Sequence, residues 1–330
     1  MMTAGDVIIG EWRLEMHEIR KIAVIGAGTM GHSLAQVFAQ RGYRVWLNDL
    51  QEAILSRAQS RIAGNLRTEV ELGLLAQGEE GSVLERIRTA TRIESACEDA
   101  DFVIEAITEN QAAKQQMFSL LDKVCPPRTI LASNTSFMDI YSFVATGRPD
   151  KVLITHWFAP PHIVPLVEVV RGVQTSQATV DAVTALLIAA GKKPIVISKF
   201  LPGFVANRLQ SALTAEMLFL LDNGYATAED IDMATKASFG MRMPILGVVK
   251  KVDFAGVDQI QRSYGNGLYR SPPHRVNSET MDALVAAGRL GVKSGKGFFD
   301  YGGRSPEEIT QETNVKLIRL REFLKQLGEL

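Results

Sequence analysis

Cysteine is scarce in this sequence, which has only Cys97 and Cys125 among its 330 residues. Two cysteines cannot form a disulfide framework, and neither has a nearby cysteine or histidine at a spacing that holds zinc. We therefore expect a protein of a reducing compartment that has no metal site.

The sequence also lacks long apolar runs and a strong excess of charge of either sign. No segment approaches the roughly 20 apolar residues that a membrane helix needs, and the N-terminus resembles neither a signal peptide nor a transit peptide. The formal net charge is -1, so no concentrated positive field favours nucleic acid or an anionic membrane as a partner. These absences predict a cytoplasmic protein that acts on small molecules.

The composition is that of a globular protein, with 46% hydrophobic and 22% charged residues. From Lys21 to about Ile197, short runs rich in Val and Ile alternate with amphipathic segments, which predicts an α/β fold with a doubly wound sheet of the Rossmann type. Seven runs are expected to be strands: "KIAVIG", "YRVWLND", "DFVIEA", "RTILAS", "KVLITHWF", "LVEVV" and "PIVIS".

Two features divide the chain further. The long connection over residues 50–100 predicts a helical hairpin projecting from the sheet, with one helix over residues 54–75 and a second over residues 83–93. After Pro202 only helical periodicity remains, which predicts an all-helical C-terminal domain. The expected domains are an N-terminal extension (1–20), a Rossmann-type domain (21–201) and an all-helical domain (202–330).

A glycine motif follows the first predicted strand. In "GAGTMG", Gly26, Gly28 and Gly31 have the spacing G-x-G-x-x-G, with Thr29 and Met30 between the last two. Such glycines allow a tight turn, the approach of a pyrophosphate to the backbone, and close packing of helix on strand. Turns of this kind also occur without a ligand, so the motif alone leaves both interpretations open.

Asp49 ends the second predicted strand, 18 residues after Gly31. An acid at this place can accept hydrogen bonds from the adenosine ribose, and "NDLQEA" has no Arg or Lys to neutralise a 2′-phosphate. The cofactor expected from this order of strand, glycines, helix and acid is NAD. The alternative role for Asp49 is that of a helix N-cap beside Gln51.

His156 and Glu168 stand out among the polar residues of "THWFAPPHIVPLVEVV". His156 ends a strand at the sheet edge where α/β proteins bind ligands, and Glu168 lies inside a second strand. If "APPHIVP" folds the chain back, the carboxylate can meet the imidazole and orient it as a catalytic base. The alternative is a solvated Glu and a His at the edge of the core.

Six motifs in order resemble the L-3-hydroxyacyl-CoA dehydrogenase family, of the 3-hydroxybutyryl-CoA dehydrogenase type. They are "GAGTMGHSLAQVFA", "VIEAITEN", "SNTSF", "HWFAPPHIVPLVEVV", "PGFVANRL" and "GRLGVKSGKGFFDY", and the similarity spans roughly residues 21–301. The resemblance implies NAD-dependent oxidation of a 3-hydroxyl group and a homodimer formed through the helical domain.

The resemblance also implies residue roles. His156 is the base and Glu168 its partner, while Ser136 and Asn207 hold the substrate oxygen and the surroundings of the histidine. The alternatives are a helix N-cap for Ser136, a polar position on the boundary helix for Asn207, and surface charge for the cofactor residues, above all Glu109 and Lys114. The implied cofactor contacts, besides the glycine motif and Asp49, are Ala106, Glu109, Lys114, Asn134 and Lys293.

Some residues depart from the family pattern. Ala159 replaces an expected Asn, and Val164-Pro165 replaces a Met-Lys pair, as in the related branch of lambda-crystallin and the gulonate and carnitine dehydrogenases. The stretch "NLRTEVELGLLAQGEEG" is acidic where CoA-binding members tend to have lysines, although Arg57 and Arg61 can still supply positive charge. A free 3-hydroxy acid therefore competes with the CoA ester as substrate, and a non-catalytic NAD-binding protein is a third alternative.

Overall fold

The computed structural model describes residues 19–267 and 278–330. The chain divides into two compact units, Met1–Pro202 and Gly203–Leu330, a division one residue from the boundary that the change in periodicity indicated. Most of the N-terminal extension, including His17, lies outside the described residues, and so does His274. Among the described residues, no helix has both the length and the apolar character needed to cross a membrane.

The first unit is built on one eight-stranded sheet, in the order β3-β2-β1-β4-β5-β6-β7-β8. Neighbouring strands are parallel except β6 and β7, which are antiparallel. The chain order reverses between β1 and β4, and α/β sheets bind ligands beyond the carboxyl ends of the strands at such a point. The strands are Lys21–Ile25 (β1), Arg44–Asn48 (β2), Ile87–Ala90 (β3), Phe102–Glu105 (β4), Ile130–Ser133 (β5), Val152–Trp157 (β6), Leu166–Arg171 (β7) and Lys193–Ile197 (β8).

The strands of the first unit are connected mainly by helices. Parallel neighbours need crossover connections, and helices supply them. The Rossmann-type α/β class predicted from the alternating pattern is confirmed. The helices of this unit are Gly31–Gln40 (α1), Glu52–Glu71 (α2), Glu79–Glu85 (α3), Ile93–Cys97 (α4), Gln111–Val124 (α5) and Gln177–Ala189 (α6).

The excursion between β2 and β4 contains the expected pair of helices, α2 and α3, but the second helix was predicted wrongly in part. Instead of continuing to Ile93, the chain forms β3, whose Ile87 is in register with Val45 of β2. Pairing with the open edge of β2 satisfies the backbone there, and this tertiary contact outweighs the local helical pattern.

The core of the first unit lies around the central strands. Every residue of β4, β5 and β6 is buried, because a largely parallel sheet is covered on both faces, and this explains the unbroken apolar runs. Phe38 of α1 packs edge-on against Phe102 and Trp157, with ring centroids 6.3 and 5.7 Å away. Full burial of Phe38 contributes on the order of 2–3 kcal/mol to the free energy of unfolding.

The second unit is helical, as expected. Thr227 begins α8 by accepting the N–H of Asp230, and Ser305 and Glu308 form a capping box at the start of α13. The helices are Ala206–Asp222 (α7), Ala228–Ala237 (α8), Phe239–Leu246 (α9), Val249–Ala255 (α10), Val257–Gly265 (α11), Glu279–Ala286 (α12) and Pro306–Gln326 (α13).

Candidate active site

The glycine motif connects β1 to α1. Gly26 has φ +99°, and a Cβ on it would lie 2.7 Å from the carbonyl oxygen of Ala106. A Cβ on Gly31 would lie 1.7 Å from the carbonyl oxygen of Gly26, whereas a Cβ on Gly28 would meet nothing within 4 Å. Internal packing therefore explains Gly26 and Gly31, and the open space at Gly28 fits the approach of a pyrophosphate.

The start of α1 is suited to the same phosphate group. Thr29 is exposed, and Met30, half-buried, is the N-cap residue. No side chain caps the helix and no acid lies in its first turn, so no acidic residue of the helix itself competes for the positive end of its dipole.

Asp49 links the end of β2 to the glycine motif. Its Oδ2 accepts the N–H of Ala27 at 2.9 Å, and its Oδ1 accepts the N–H of Gln51 at 3.4 Å. Gln51, not Asp49, is the N-cap of α2, so the capping alternative for Asp49 is wrong. The carboxylate lies beside the glycine motif, where an adenosine ribose can be recognised.

His156 and Glu168 lie opposite each other on the antiparallel strands β6 and β7. His156 Nδ1 is 2.8 Å from Glu168 Oε2, and both side chains are buried. The ring of Phe158 packs against the imidazole at a centroid distance of 4.5 Å. Since a carboxylate accepts, Nδ1 carries the proton of this bond, and the tautomer is fixed. The contact expected from the fold-back of the chain is present.

The loop after β5 brings Asn134 and Ser136 to the same edge of the sheet. Asn134 Oδ1 accepts the N–H of Trp157 at 3.0 Å, which ties β5 to the residue after His156. The N–H of Ser136 donates to Glu109 Oε1 at 2.6 Å, and its Oγ has no hydrogen-bond partner among the described residues. The alternative that Ser136 caps a long helix is wrong, because only a short 3-10 turn, Ile140–Ser142, follows.

A buried ion pair lies behind these loops. Lys114 of α5 is 1% exposed, and its Nζ is 2.7 Å from Glu105 Oε1 and 3.5 Å from Glu109 Oε2. Glu105, fully buried at the end of β4, also accepts the Ser133 hydroxyl at 2.6 Å. The surface-charge alternative is therefore wrong for Lys114, whereas the Glu109 side chain is 42% exposed.

Glu105 is a residue of this edge that the sequence reasoning missed. The available signal was an acid at the end of the apolar run "FVIE", nine residues before Lys114. A charge at such a position needs a partner, because an unpaired buried carboxylate is costly. Glu105 and Glu109 outnumber Lys114, so this edge of the sheet has an excess of negative charge.

Residues 158–165, the loop between β6 and β7, are fastened to α1 and to the start of β8. His162 donates its N–H to Ser33 Oγ at 2.9 Å, and its Nδ1 is 2.7 Å from the same oxygen. Lys192 Nζ donates to the carbonyl oxygens of Pro161 and Val164. The loop that contains the departures from the family pattern is therefore held by side chains of the cofactor-binding unit itself.

Two of the predicted site residues belong to the second unit. Asn207 is half-buried near the start of α7, and Lys293 is exposed in a 3-10 turn, Val292–Ser294. Their roles toward substrate and cofactor stay predictions.

Comparisons with known proteins identify the family of the chain. The family model described as 3-hydroxyacyl-CoA dehydrogenase, NAD binding domain, matches residues 21–200. The model described as 3-hydroxyacyl-CoA dehydrogenase, C-terminal domain, matches residues 203–301. The two matches cover most of both structural units.

Individual relatives extend over most of the chain. A probable 3-hydroxybutyryl-CoA dehydrogenase of Bacillus subtilis is 39% identical and covers 86% of this chain and 98% of its own length. The 5-formyl-3-hydroxy-2-methylpyridine 4-carboxylate 5-dehydrogenase of Mesorhizobium japonicum is 32% identical, over 93% of this chain and 99% of its own. A crystal structure of an enzyme of that activity, described as an NAD+ dependent dismutase, matches with a TM-score of 0.83 and 31% identity over 93% of this chain and 99% of its own. The chain is therefore an NAD-dependent oxidoreductase that belongs to the 3-hydroxyacyl-CoA dehydrogenase family.

Proposed function

We propose that the protein oxidises the 3-hydroxyl group of a 3-hydroxyacyl-CoA, such as 3-hydroxybutyryl-CoA, to the 3-oxo compound, and catalyses the reverse reaction. The observation that carries this proposal is the buried hydrogen bond between His156 and Glu168 at 2.8 Å, in the unit that binds NAD. Alcohol oxidation by hydride transfer needs a base for the hydroxyl proton, and this pair supplies one.

In this mechanism the proton of the 3-hydroxyl goes to His156 Nε2, since Nδ1 already donates to Glu168. Glu168 balances the charge that then forms on the imidazole, as a carboxylate does in other acid-base pairs. Bound NAD supplies the acceptor for the hydride that leaves C3 of the substrate. Ser136 Oγ holds the 3-oxygen in place, and the same role for Asn207 stays what the resemblance implies.

The remaining residues of the proposed site hold the cofactor. Gly28 and the start of α1 receive the pyrophosphate, and Asp49 accepts hydrogen bonds from the adenosine ribose. Lys114, Glu109 and Asn134 lie at the sheet edge beyond β4 and β5, and Ala106 abuts the glycine turn. For Lys293, a nucleotide contact stays what the resemblance implies. Glu105 acts indirectly, because it fixes Lys114.

The charged side chains that α2 exposes are compatible with a CoA ester as the substrate. In the acidic stretch "NLRTEVELGLLAQGEEG", Glu69 of α2 is buried against α1, where it accepts from Gln36 and Gln40. The two glutamates at the start of α3 stay exposed or half-buried, so the excursion keeps part of its acidic character there. The charged side chains that α2 exposes are three arginines and two glutamates, so its outer surface is slightly basic and compatible with phosphate groups. They are Arg57, Arg61, Arg67, Glu52 and Glu71.

A second candidate substrate is a 3-hydroxy compound without CoA. The Mesorhizobium relative, whose name gives a pyridine carboxylate as substrate, matches 93% of this chain, whereas the Bacillus relative matches 86%. Val164-Pro165 before β7 agrees with the branch that acts on free acids. For a free 3-hydroxy acid the base and cofactor residues are the same, and only what binds beyond the reacting carbon differs. The name of the Mesorhizobium relative gives a formyl carbon as its reacting position, so this relative supports a substrate without CoA but not oxidation of a 3-hydroxyl.

The experiment that separates the two substrate classes follows NADH absorbance with the full chain. Reduction of acetoacetyl-CoA is compared with oxidation of 3-hydroxybutyrate, carnitine, gulonate and the pyridine substrate. We expect kcat/KM to be highest for acetoacetyl-CoA. Higher values with a free acid would replace the first candidate by the second, and NADH binding without any turnover would favour a non-catalytic protein.

The CoA assignment also has a residue-level test. Arg57→Ala and Arg61→Ala should each raise KM for acetoacetyl-CoA about tenfold, the loss of one charged contact, and leave KM for NADH unchanged. Arg44→Ala, an exposed arginine at the amino end of β2 and outside α2, is the matched control. An equal response of all three variants would contradict a role for Arg57 and Arg61 in binding CoA.

We also propose a homodimer formed through the second unit. Its helices expose large apolar side chains, among them Leu209 and Leu213 of α7 at 49% and 43%. Exposed apolar surface of this extent is typical of interfaces.

A further inference from the structure

Tyr141 reaches from the 3-10 turn after β5 to the backbone of the two antiparallel strands. Its hydroxyl donates to the carbonyl oxygen of Val170 on β7 at 2.5 Å and accepts the N–H of Ile154 on β6 at 3.2 Å. Burial raises the pKa of Tyr141 well above its ordinary value, so the hydroxyl keeps its proton and stays a donor. One side chain thus bridges β6 and β7.

The bridge lies next to the proposed base along the same ladder. Ile154 and Val170 are partners in register, and two residues further along each strand the partners are His156 and Glu168. Two residues of a strand span about 7 Å. A change in the distance between β6 and β7 at Ile154 and Val170 therefore also changes that distance at His156 and Glu168.

The ring of Tyr141 packs directly against Gly172. A Cβ on Gly172 would lie 2.4 Å from Tyr141 Cδ1 and 2.6 Å from its Cε1. Gly172 is not among the glycines with positive φ, so its backbone conformation does not demand glycine. The ring of Tyr141 is the feature that excludes a side chain there.

We propose that Tyr141, whose ring packs against Gly172, is a positioning residue. It sets the distance between β6 and β7 and thereby the hydrogen bond between His156 and Glu168. The inference rests on the proposed function, because it takes His156 as the base. Hydrogen bonds weaken steeply when their geometry is lost, and small misplacements of a catalytic group cost much of its rate. The Tyr141 hydroxyl bonds to the backbone of β6 and β7 and to the side chain of Thr175, but not to His156 or Glu168, so it acts through the pair.

The first test is Tyr141→Phe, which removes the hydroxyl and keeps the ring on Gly172. We expect kcat to fall about tenfold, as a displacement of less than 1 Å would cause, and the pH profile of kcat to move, while KM for NAD stays unchanged. Gly172→Ala pushes the ring away and should change kcat and the pH profile in the same direction. The double variant should lose no more than the worse single variant, because both changes break one contact.

A second measurement needs no substrate. NMR of 15N-histidine-labelled protein follows the Nδ1 proton of His156, assigned by its absence in His156→Ala. In Tyr141→Phe we expect this resonance to move upfield and to exchange faster with water, because the bond to Glu168 is longer. If the wild type turns over no 3-hydroxy compound, the proposed function fails, yet the NMR comparison still tests the positioning of His156.

Tyr43→Phe is the matched control, since Tyr43 is a tyrosine of the same unit that packs edge-on against Phe38 at 6.1 Å. It should leave kcat, the pH profile and the histidine resonance unchanged. The inference is overturned if Tyr141→Phe leaves the Nδ1 resonance and the pH profile as in the wild type, even if its thermal stability falls. It is also overturned if Tyr43→Phe produces the same changes.

Discussion

The two units of the chain differ in where their apolar side chains lie. In the first unit, α1 alone buries eight of its ten residues, and α2, α5 and α6 each bury one face. In the second unit, none of the helices α7 to α12 has a buried residue among those described, and α13 has two, Ile309 and Ile318. On α7, Leu209 and Leu213 form an apolar stripe that is exposed in the single chain.

The two units therefore differ in what stabilises them: a core of its own in the first unit and, in our proposal, contact with a partner in the second. The first unit has its own core and satisfies even buried charges internally, as Lys114 and Glu105 do. The second unit leaves apolar surface that a monomer rarely exposes, so a second copy of the chain is the partner that we propose for it. Trp46 and Trp157 lie on strands of the first unit and the second unit has no tryptophan, so the fluorescence of these two residues reports on the unfolding of the first unit.

The largest effect on stability should come from breaking the buried ion pair. Lys114→Met leaves the Glu105 carboxylate buried without its cation and should cost about 3–5 kcal/mol. Urea unfolding followed by tryptophan fluorescence measures this loss. Arg92→Met in the same unit breaks an exposed pair with Glu94 and should change stability by less than about 0.5 kcal/mol.

A double variant checks that the loss comes from the unpaired charge. Glu105→Leu combined with Lys114→Met removes both partners and should be more stable than Lys114→Met alone. A double variant that is less stable than the single one would contradict this explanation.

The glycine motif offers a contrast within the first unit. Gly31→Ala places a Cβ against backbone and should cost at least about 3 kcal/mol. Gly28→Ala meets no protein atom, so it should leave stability unchanged but weaken NADH binding about tenfold, or 1.4 kcal/mol. Urea unfolding and NADH fluorescence titration measure the two effects. Equal losses of stability would contradict the division between packing glycines and a ligand-facing glycine.

Assembly should respond to changes in the second unit only. Leu213→Glu places a charge on the exposed stripe of α7 and should convert the dimer to a monomer while the first unit stays folded. Sedimentation velocity measures the change. Leu120→Glu on α5, a leucine of the first unit with 37% exposure, should leave the dimer intact, and a wild type that sediments as a monomer would refute the proposed assembly.

The smallest effect concerns acid stability near the glycine motif. His32 is half-buried, its Nδ1 is 2.8 Å from the carbonyl oxygen of Gly28, and burial, with a smaller effect of Arg61, lowers the pKa of His32. The unfolded chain therefore binds this proton more readily, so the stability contribution is complete above the ordinary histidine value of 6.5 and is lost as pH falls below it.

We therefore expect His32→Gln to lose less stability than the wild type between pH 7 and pH 5. Tryptophan-detected urea midpoints at the two pH values measure this difference. Parallel curves for the two proteins would contradict a lowered pKa of His32.

Much of the fold could be predicted because its signals are local. Apolar runs such as "DFVIEA" mark buried strands wherever a sheet is covered on both faces, and the glycine spacing marks the turn into α1. The strand β3 was missed because only Ile87 of it is buried, and the open edge of β2, not its own sequence, makes it a strand.

The candidate site was predictable to a similar degree. The pairing of His156 with Glu168 followed from two strands joined by a loop that folds back. Glu105 and Tyr141 were not found, because their contacts depend on where α5 and the 3-10 turn lie in the folded chain. Contacts between side chains that lie far apart in the chain are difficult to predict from a single sequence.

The central claim is that His156, oriented by Glu168, is the base of an NAD-dependent dehydrogenase. The direct measurement is the rate of NADH formation from 3-hydroxybutyryl-CoA by the wild type and by His156→Ala, with NADH binding measured in parallel. We predict a fall in kcat of about 10²- to 10⁴-fold with NADH binding nearly intact. An active wild type and a His156→Ala variant with an undiminished rate would contradict the claim.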